Sequence, residues 1–164
     1  MSTPDVAADQ LGLRPLKEIT LEERVIVLDE IPWVPYAEGI FVKPVRLNRK
    51  TGFWANITKV EGGMQINRHY HVNPVTGFVL EGSWYYAERD WVAREGTMIW
   101  EPPGDIHTLI SNDEGTTTLF MLEGALLYVD EDDNVVGFDD VLAHTHKYHE
   151  FCRAEGIEPV DLDY

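Results

Sequence analysis

His69 and His71 stand two residues apart in Gly63-Met64-Gln65-Ile66-Asn67-Arg68-His69-Tyr70-His71, between apolar runs that read as strand. Residues i and i+2 of a strand share a face, so both imidazoles point into one interior while Arg68 and Tyr70 point away from it. A second stretch, Gly96-Thr97-Met98-Ile99-Trp100-Glu101-Pro102-Pro103-Gly104-Asp105-Ile106-His107, reads as an apolar strand, a Pro-Pro-Gly turn and a third histidine. Paired strands lie roughly 4.8 Å apart, so a hairpin of this shape is expected to bring His107 beside the first pair. Three neutral imidazoles meeting in an interior suit a first-row metal ion such as iron, zinc, copper or nickel. A lone interior histidine is more often a satisfied core residue; three at this spacing, with glycine and proline shaping the turns, are not.

Glycine, five residues and His-x-His, followed by glycine, five residues and Pro-x-Gly-x-x-His, resembles the paired signature of the cupin superfamily. The positions here are Gly63, His69 and His71, then Gly96, Pro102, Gly104 and His107, with Gly82 matching the glycine that closes the first half. The resemblance implies an all-β fold, the double-stranded β-helix or cupin jelly roll, followed here by a C-terminal helix. Two positions depart from the pattern. The usual glutamate ligand four residues after the second histidine is Val75, and the asparagine commonly four after the last histidine is Ser111. The four-ligand site of such relatives therefore does not carry over intact.

Gly77 to Ala93 and Glu101 to Leu109 are similar to the 2,4'-dihydroxyacetophenone dioxygenase family, with the similarity running from about Trp33 through Asp130 to Asp133 into the C-terminal helix. This resemblance implies a mononuclear Fe(II) dioxygenase that cleaves an aryl α-hydroxy ketone with O2 to an aryl carboxylate and formate. Zinc, nickel or manganese is an alternative bound ion, and a homodimer or homotetramer the expected assembly. Related sequences tend to carry a carboxylate at the position of Glu88, which makes it the candidate fourth ligand and general base; its alternative is a surface hairpin charge paired with Arg89. Glu81, Glu101 and Glu123 are expected to be structural. The wider group includes cupin domains of metal-binding anti-sigma factors. Two rivals therefore stay open: a metal-dependent cupin of another reaction (β-diketone dioxygenase, decarboxylase or isomerase), and a non-catalytic metal- or ligand-sensing cupin.

The elements that must position these residues follow from turn chemistry. Short β candidates cover Ile40 to Leu47, Phe53 to Val60, Gln65 to His71, Gly77 to Leu80, Trp84 to Ala87, Met98 to Trp100, His107 to Ser111, Thr116 to Leu122 and Ala125 to Val129. Gly-, Asn- and Asp-rich breaks separate them, including Asn112 to Gly115, and that spacing indicates a sandwich or barrel. Asp139 or Asp140 caps a helix that Gly156 ends, with Val141, Leu142, Tyr148 and Phe151 as its packing face. The organisation is then an N-terminal arm over residues 1–30, a barrel over 31–138, and a helix and tail over 139–164. Within the arm, Thr20-Leu21-Glu22-Glu23 has capping-box spacing and Arg24 to Leu28 reads as strand. Trp54, Trp84, Tyr86, Trp100, Phe78 and Phe120 are expected in the core. His144, His146 and His149 lack a third converging group and Cys152 lacks an activating neighbour, so neither makes a site. Asp130 to Asp133 reads as a solvated hairpin turn.

The 164 residues, 44% hydrophobic and 26% charged, suit one globular domain. Thirteen basic residues against twenty-nine acidic ones leave −16, which argues against nucleic acid or an anionic membrane as partner. One cysteine cannot form an internal disulfide, and the opening Met1-Ser2-Thr3-Pro4-Asp5 has no signal-peptide character, so a cytoplasmic location is expected.

Overall fold

The computed structural model describes residues 13–19 and 22–164. Ten strands, β1 (Val34–Ala37), β2 (Ile40–Asn48), β3 (Phe53–Val60), β4 (Gln65–His71), β5 (Val75–Tyr86), β6 (Val92–Arg94), β7 (Met98–Glu101), β8 (Ile106–Glu123), β9 (Leu126–Val129) and β10 (Val135–Asp139), precede one helix, α1 (Val141–Glu155). The strands run in the order β1-β2-β3-β8-β4-β9-β10, and β5 pairs with β6, β7 and β8. All pairings are antiparallel. This is the curled jelly roll implied by the histidine signature, with the C-terminal helix beside it.

β8 holds the roll together. Its first half pairs with β4, its second half with β3, and β5 follows it along both. Asn112 to Gly115, expected as a turn, lies inside this 18-residue strand, and β5 likewise runs through the expected break at Glu81 to Ser83. The two strands bend together instead of ending. Gly82 and Gly115 both have left-handed φ, +70° and +76°, and a Cβ on Gly82 would lie 2.0 Å from the Gly115 carbonyl oxygen. Only residues without a side chain permit that crossing.

Three strands escaped the sequence reading: β1, three-residue β6, and β10, whose backbone pairs with β9 across the Asp130–Asn134 hairpin turn. Arg24 to Val27 forms no strand; Val25 is fully solvent-facing and a 3-10 turn follows at Leu28–Glu30. Ile31 enters the core and Lys43 Nζ donates to the Leu28 carbonyl, so this arm segment lies on its own barrel. Residues 1–12 and the Thr20-Leu21 part of the capping-box motif lie outside the described residues.

Asp140 caps α1 by accepting from the Ala143 N–H at 2.8 Å, and Gly156 ends it in left-handed conformation, as expected. Its buried stripe is Val141, His144, Thr145, Tyr148 and Cys152. Leu142, expected in that face, is exposed, because the stripe follows i, i+3, i+4, i+7 and i+11 from Val141. Trp54, Trp84 and Tyr86 are core residues, whereas Trp100 and Phe78 are exposed together with Met98 on the outer face of the β5–β7 pair. Strand alternation decides this, since their neighbours Glu101 and Val79 face inward. No helix among the described residues is long and apolar enough to cross a membrane.

Candidate metal centre

β4 alternates as its pattern demands: His69 and His71 are buried, Arg68 and Tyr70 only partly so. His69 pairs directly across the sheet with His107 on β8. The Pro-Pro-Gly turn before His107 is clamped to β4, because the Gly104 N–H donates to the His71 carbonyl at 2.9 Å and Gly104 adopts φ +85°. The three rings lie 4.8–5.0 Å apart centre to centre, with one ligand nitrogen from each within 4.8 Å of the others.

Two of the rings, His69 and His107, are oriented from behind. His69 Nδ1 lies 2.7 Å from the Asn67 carbonyl and donates to it, which leaves Nε2 as the lone-pair nitrogen. His107 Nδ1 donates to Asp105 at 3.2 Å, and Arg89 grips both Asp105 oxygens at 2.7 Å. Burial raises the Asp105 pKa, but the His107 and Arg89 hydrogen bonds hold it below its ordinary value. The Tyr86 ring stacks on His107 at 3.7 Å. Burial, then the neighbouring His71 and His107, lowers His69 to about 3, so this ring is neutral, the form that binds a metal.

The carboxylate that lies beside the three rings is Glu101; Glu88 lies elsewhere. Glu88 sits in the exposed β5–β6 hairpin, where its two oxygens accept from the Thr108 N–H at 2.9 Å and the Thr108 hydroxyl at 3.1 Å. Thr108 faces outward because His107 faces inward, so Glu88 is on the wrong side of the wall. Arg89 does not pair with the Glu88 carboxylate either; it pairs with Asp105. Glu101, expected to be structural, is 3% exposed and aims into the centre. Its Oε1 accepts from the Tyr86 hydroxyl at 2.6 Å, while Oε2 stands 3.1 Å from His71 Nε2 and 3.3 Å from His107 Nε2. Oε2 is close enough for an ion pair yet lies off the N–H direction of either ring, and makes no hydrogen bond among the described residues. Burial pushes the Glu101 pKa up, but the two imidazoles and Tyr86 outweigh it and hold the carboxyl at about 2.

These features test the fit of a metal. His71 Nε2 and His107 Nε2 are 3.1 Å apart, a separation suited to two nitrogens that each lie about 2.0–2.1 Å from one ion. A buried anionic oxygen without a donor, beside two such nitrogens, is the other mark of a cation site. The residues fit the group. The expected glutamate position, Val75, is the direct cross-strand partner of Glu101, so the carboxylate comes from the neighbouring strand. The sequence signal was a glutamate ending the strand before the Pro-Pro-Gly turn, which needs the pairing register to interpret. The centre opens into a cavity of about 800 Å³ whose walls include Ile66, Leu109, Phe120, Leu122 and Leu126. Among the described residues, His144, His146 and His149 form no metal-holding cluster; His144 is instead packed against Tyr36 and Trp54.

Residues 21–127 match the family model of the ChrR cupin-like domain. The crystal structure of an RmlC-like cupin protein from Ralstonia eutropha is 30% identical, with a TM-score of 0.83 over 88% of this chain and 96% of that one. An acetylacetone dioxygenase from Acinetobacter johnsonii is 20% identical with a TM-score of 0.71, over 79% of this chain and 92% of that one, a likeness of fold. Rhodobacter sphaeroides SigE in complex with the anti-sigma ChrR gives 17% identity and a TM-score of 0.51, over 71% of this chain and 55% of that one. No curated protein matches. With a family model covering more than half of the chain and a 30%-identical structure aligned along most of it, this protein belongs to the cupin superfamily, in the family of the ChrR cupin-like domain.

Proposed function

We propose that the protein is a mononuclear non-haem Fe(II) dioxygenase that cleaves the carbon–carbon bond of an aryl α-hydroxy ketone, giving an aryl carboxylate and formate. The observation that carries this reading is a three-histidine group with one buried carboxylate, His69, His71, His107 and Glu101, beside a cavity of about 800 Å³ whose walls include Ile66, Leu109, Phe120, Leu122 and Leu126. A volume of that order suits a drug-sized aromatic ligand. Fe(II) held by these residues would bind a chelating ketol and relay the ketol's electrons to dioxygen, returning to its starting oxidation state. One hydroxymethyl aryl ketone and one O2 contain all the atoms of the two acids, so no external reductant is needed.

The chain's own residues do the rest. Asn67 and the Asp105–Arg89 pair hold His69 and His107 with their Nε2 atoms inward. Tyr86 fixes Glu101 and covers one face of His107. Ile66, Leu109, Phe120, Leu122 and Leu126 offer an apolar seat for an aromatic ring. The experiment is elemental analysis of freshly purified protein, with O2 uptake measured on a panel of aryl ketols and β-diketones. Iron together with O2-dependent release of formate supports the proposal; turnover that persists without O2 overturns it in favour of a decarboxylase or isomerase. The match to the ChrR cupin-like domain favours a second reading, a non-catalytic sensing cupin, and metal binding with no turnover of any panel member would establish it over the first.

A further inference from the structure

Two buried side-chain polar atoms lack a hydrogen-bond partner among the described residues, Glu101 Oε2 and Asn56 Oδ1, and both residues line the same cavity. Glu101 belongs to the centre above. Asn56 does not: its part of the wall is built by β3, β1 and α1. We infer that Asn56, held by His144 and Tyr36, is a second recognition point of the cavity, whose free amide oxygen receives a hydroxyl group of the bound ligand.

The hydrogen-bond network sets the sense of the contact. Asn56 is 3% exposed, and its Nδ2 lies 3.1 Å from His144 Nδ1. The Tyr36 hydroxyl lies 2.5 Å from the same nitrogen. Burial, then Lys147, keeps the His144 ring neutral, and burial pushes the Tyr36 hydroxyl well above its ordinary range, so it keeps its proton. Asn56 Nδ2 can only donate, so Nδ1 is the unprotonated nitrogen of the ring and accepts from it and from the Tyr36 hydroxyl, and the Asn56 amide spends an N–H on the protein. Its acceptor oxygen is left without a donor among the described residues, in a residue that lines the cavity, and a buried oxygen without a donor is costly.

This part of the wall is also firmly held. His144 stacks on Trp54 at 4.3 Å and on Tyr36 at 4.9 Å, and Lys147 Nζ stands 3.6 Å from the centre of the Tyr36 ring. The Lys147 charge disfavours an ammonium as the donor, and the nearby Asp139 carboxylate already accepts from the Tyr128 hydroxyl at 2.8 Å. A neutral donor is what remains, and in an aryl ketol that donor is a hydroxyl. The subsite stands on the Asn56 geometry; that its ligand is the ring hydroxyl of an aryl ketol rests on the function proposed above.

The test uses Zn(II)-loaded protein, which binds a ketol without redox turnover, and three ligands: 2-hydroxyacetophenone and its derivatives with a ring hydroxyl or a ring methoxy group, meta or para. Tryptophan quenching gives the Kd of each. The hydroxyl compound is expected to bind at least about tenfold more tightly than its methoxy counterpart. Asn56→Leu, checked by metal content and near-UV circular dichroism, is expected to bind the two alike; should it fail to fold, Asn56→Ser carries the same expectation. Equal affinities in the unsubstituted protein, or a substitution that weakens all three ligands by one factor, overturn the subsite. O2 consumption by the Fe(II) protein without hydroxyl discrimination defeats the subsite alone, and discrimination without O2 consumption defeats the catalytic reading alone. Failure of every ligand to bind defeats both.

Discussion

Acidifying the metal-free protein should destabilise it steeply well before its carboxylates titrate. His69 is lowered to about 3 by burial and by His71 and His107, and His144 to about 3 by burial and Lys147. Both are about 4% exposed, so solvent screening does little to soften these shifts. In an unfolded chain each ring titrates near 6.5. Between pH 7.5 and 5.5 the folded state therefore takes up neither proton, while the unfolded chain takes up nearly both. A depressed folded pKa means that the stability is fully present above the unfolded value and is lost as pH falls below it. Each ring contributes a loss of about 1.4 kcal/mol across that window, and the pair about 2.7 kcal/mol. Burial lowers His149 as well, which adds in the same direction; Asp139, raised by burial, works the other way. With a urea slope of about 2 kcal/mol per molar for a chain of this size, the midpoint should fall by more than about 1 M. The assay is urea unfolding in the presence of chelator at the two pH values, with His144→Gln as the partner experiment, which should remove about half of the shift. Midpoints that agree within about 0.3 M would refute the claim that these rings are buried neutral.

Glu101→Gln should weaken Fe(II) binding by about 10- to 100-fold or more, read by metal titration, whereas Glu88→Gln should leave metal content unchanged; the reverse result would return Glu88 to the centre. His69→Ala, His71→Ala and His107→Ala should each abolish metal retention, and full iron occupancy in one of them would remove that residue from the ligand set. Gly82→Ala should destabilise the fold by more than about 2 kcal/mol in thermal or urea unfolding, because its Cβ meets the Gly115 oxygen at 2.0 Å and its φ is +70°; a wild-type midpoint would show that β5 and β8 can separate there.

The three histidines were legible because their spacing is a local property. A two-residue step puts His69 and His71 on one face, and a glycine-proline turn returns the chain to deliver His107. The helix was legible at its ends for the same reason, since Asp140 and Gly156 act on their immediate neighbours. The bends in β5 and β8 were misread as turns because glycine has the same signature in both; only the crossing of Gly82 over Gly115 distinguishes them.

What the sequence determined by itself was the set of groups with periodic or contiguous spacing: two inward rings, a third after a sharp turn, alternating strands and a capped helix. The tertiary structure alone decided which carboxylate joins them. Glu88 and Glu101 are both glutamates close to a chain reversal, but pairing β7 against β5 places Glu101 opposite Val75 and inside, while Thr108 holds Glu88 outside. The same is true of the Asn56–His144–Tyr36 wall, whose members are up to 108 residues apart. Register between distant strands, and the seat of a helix on them, are set by packing of the whole core, so no short stretch of residues contains them.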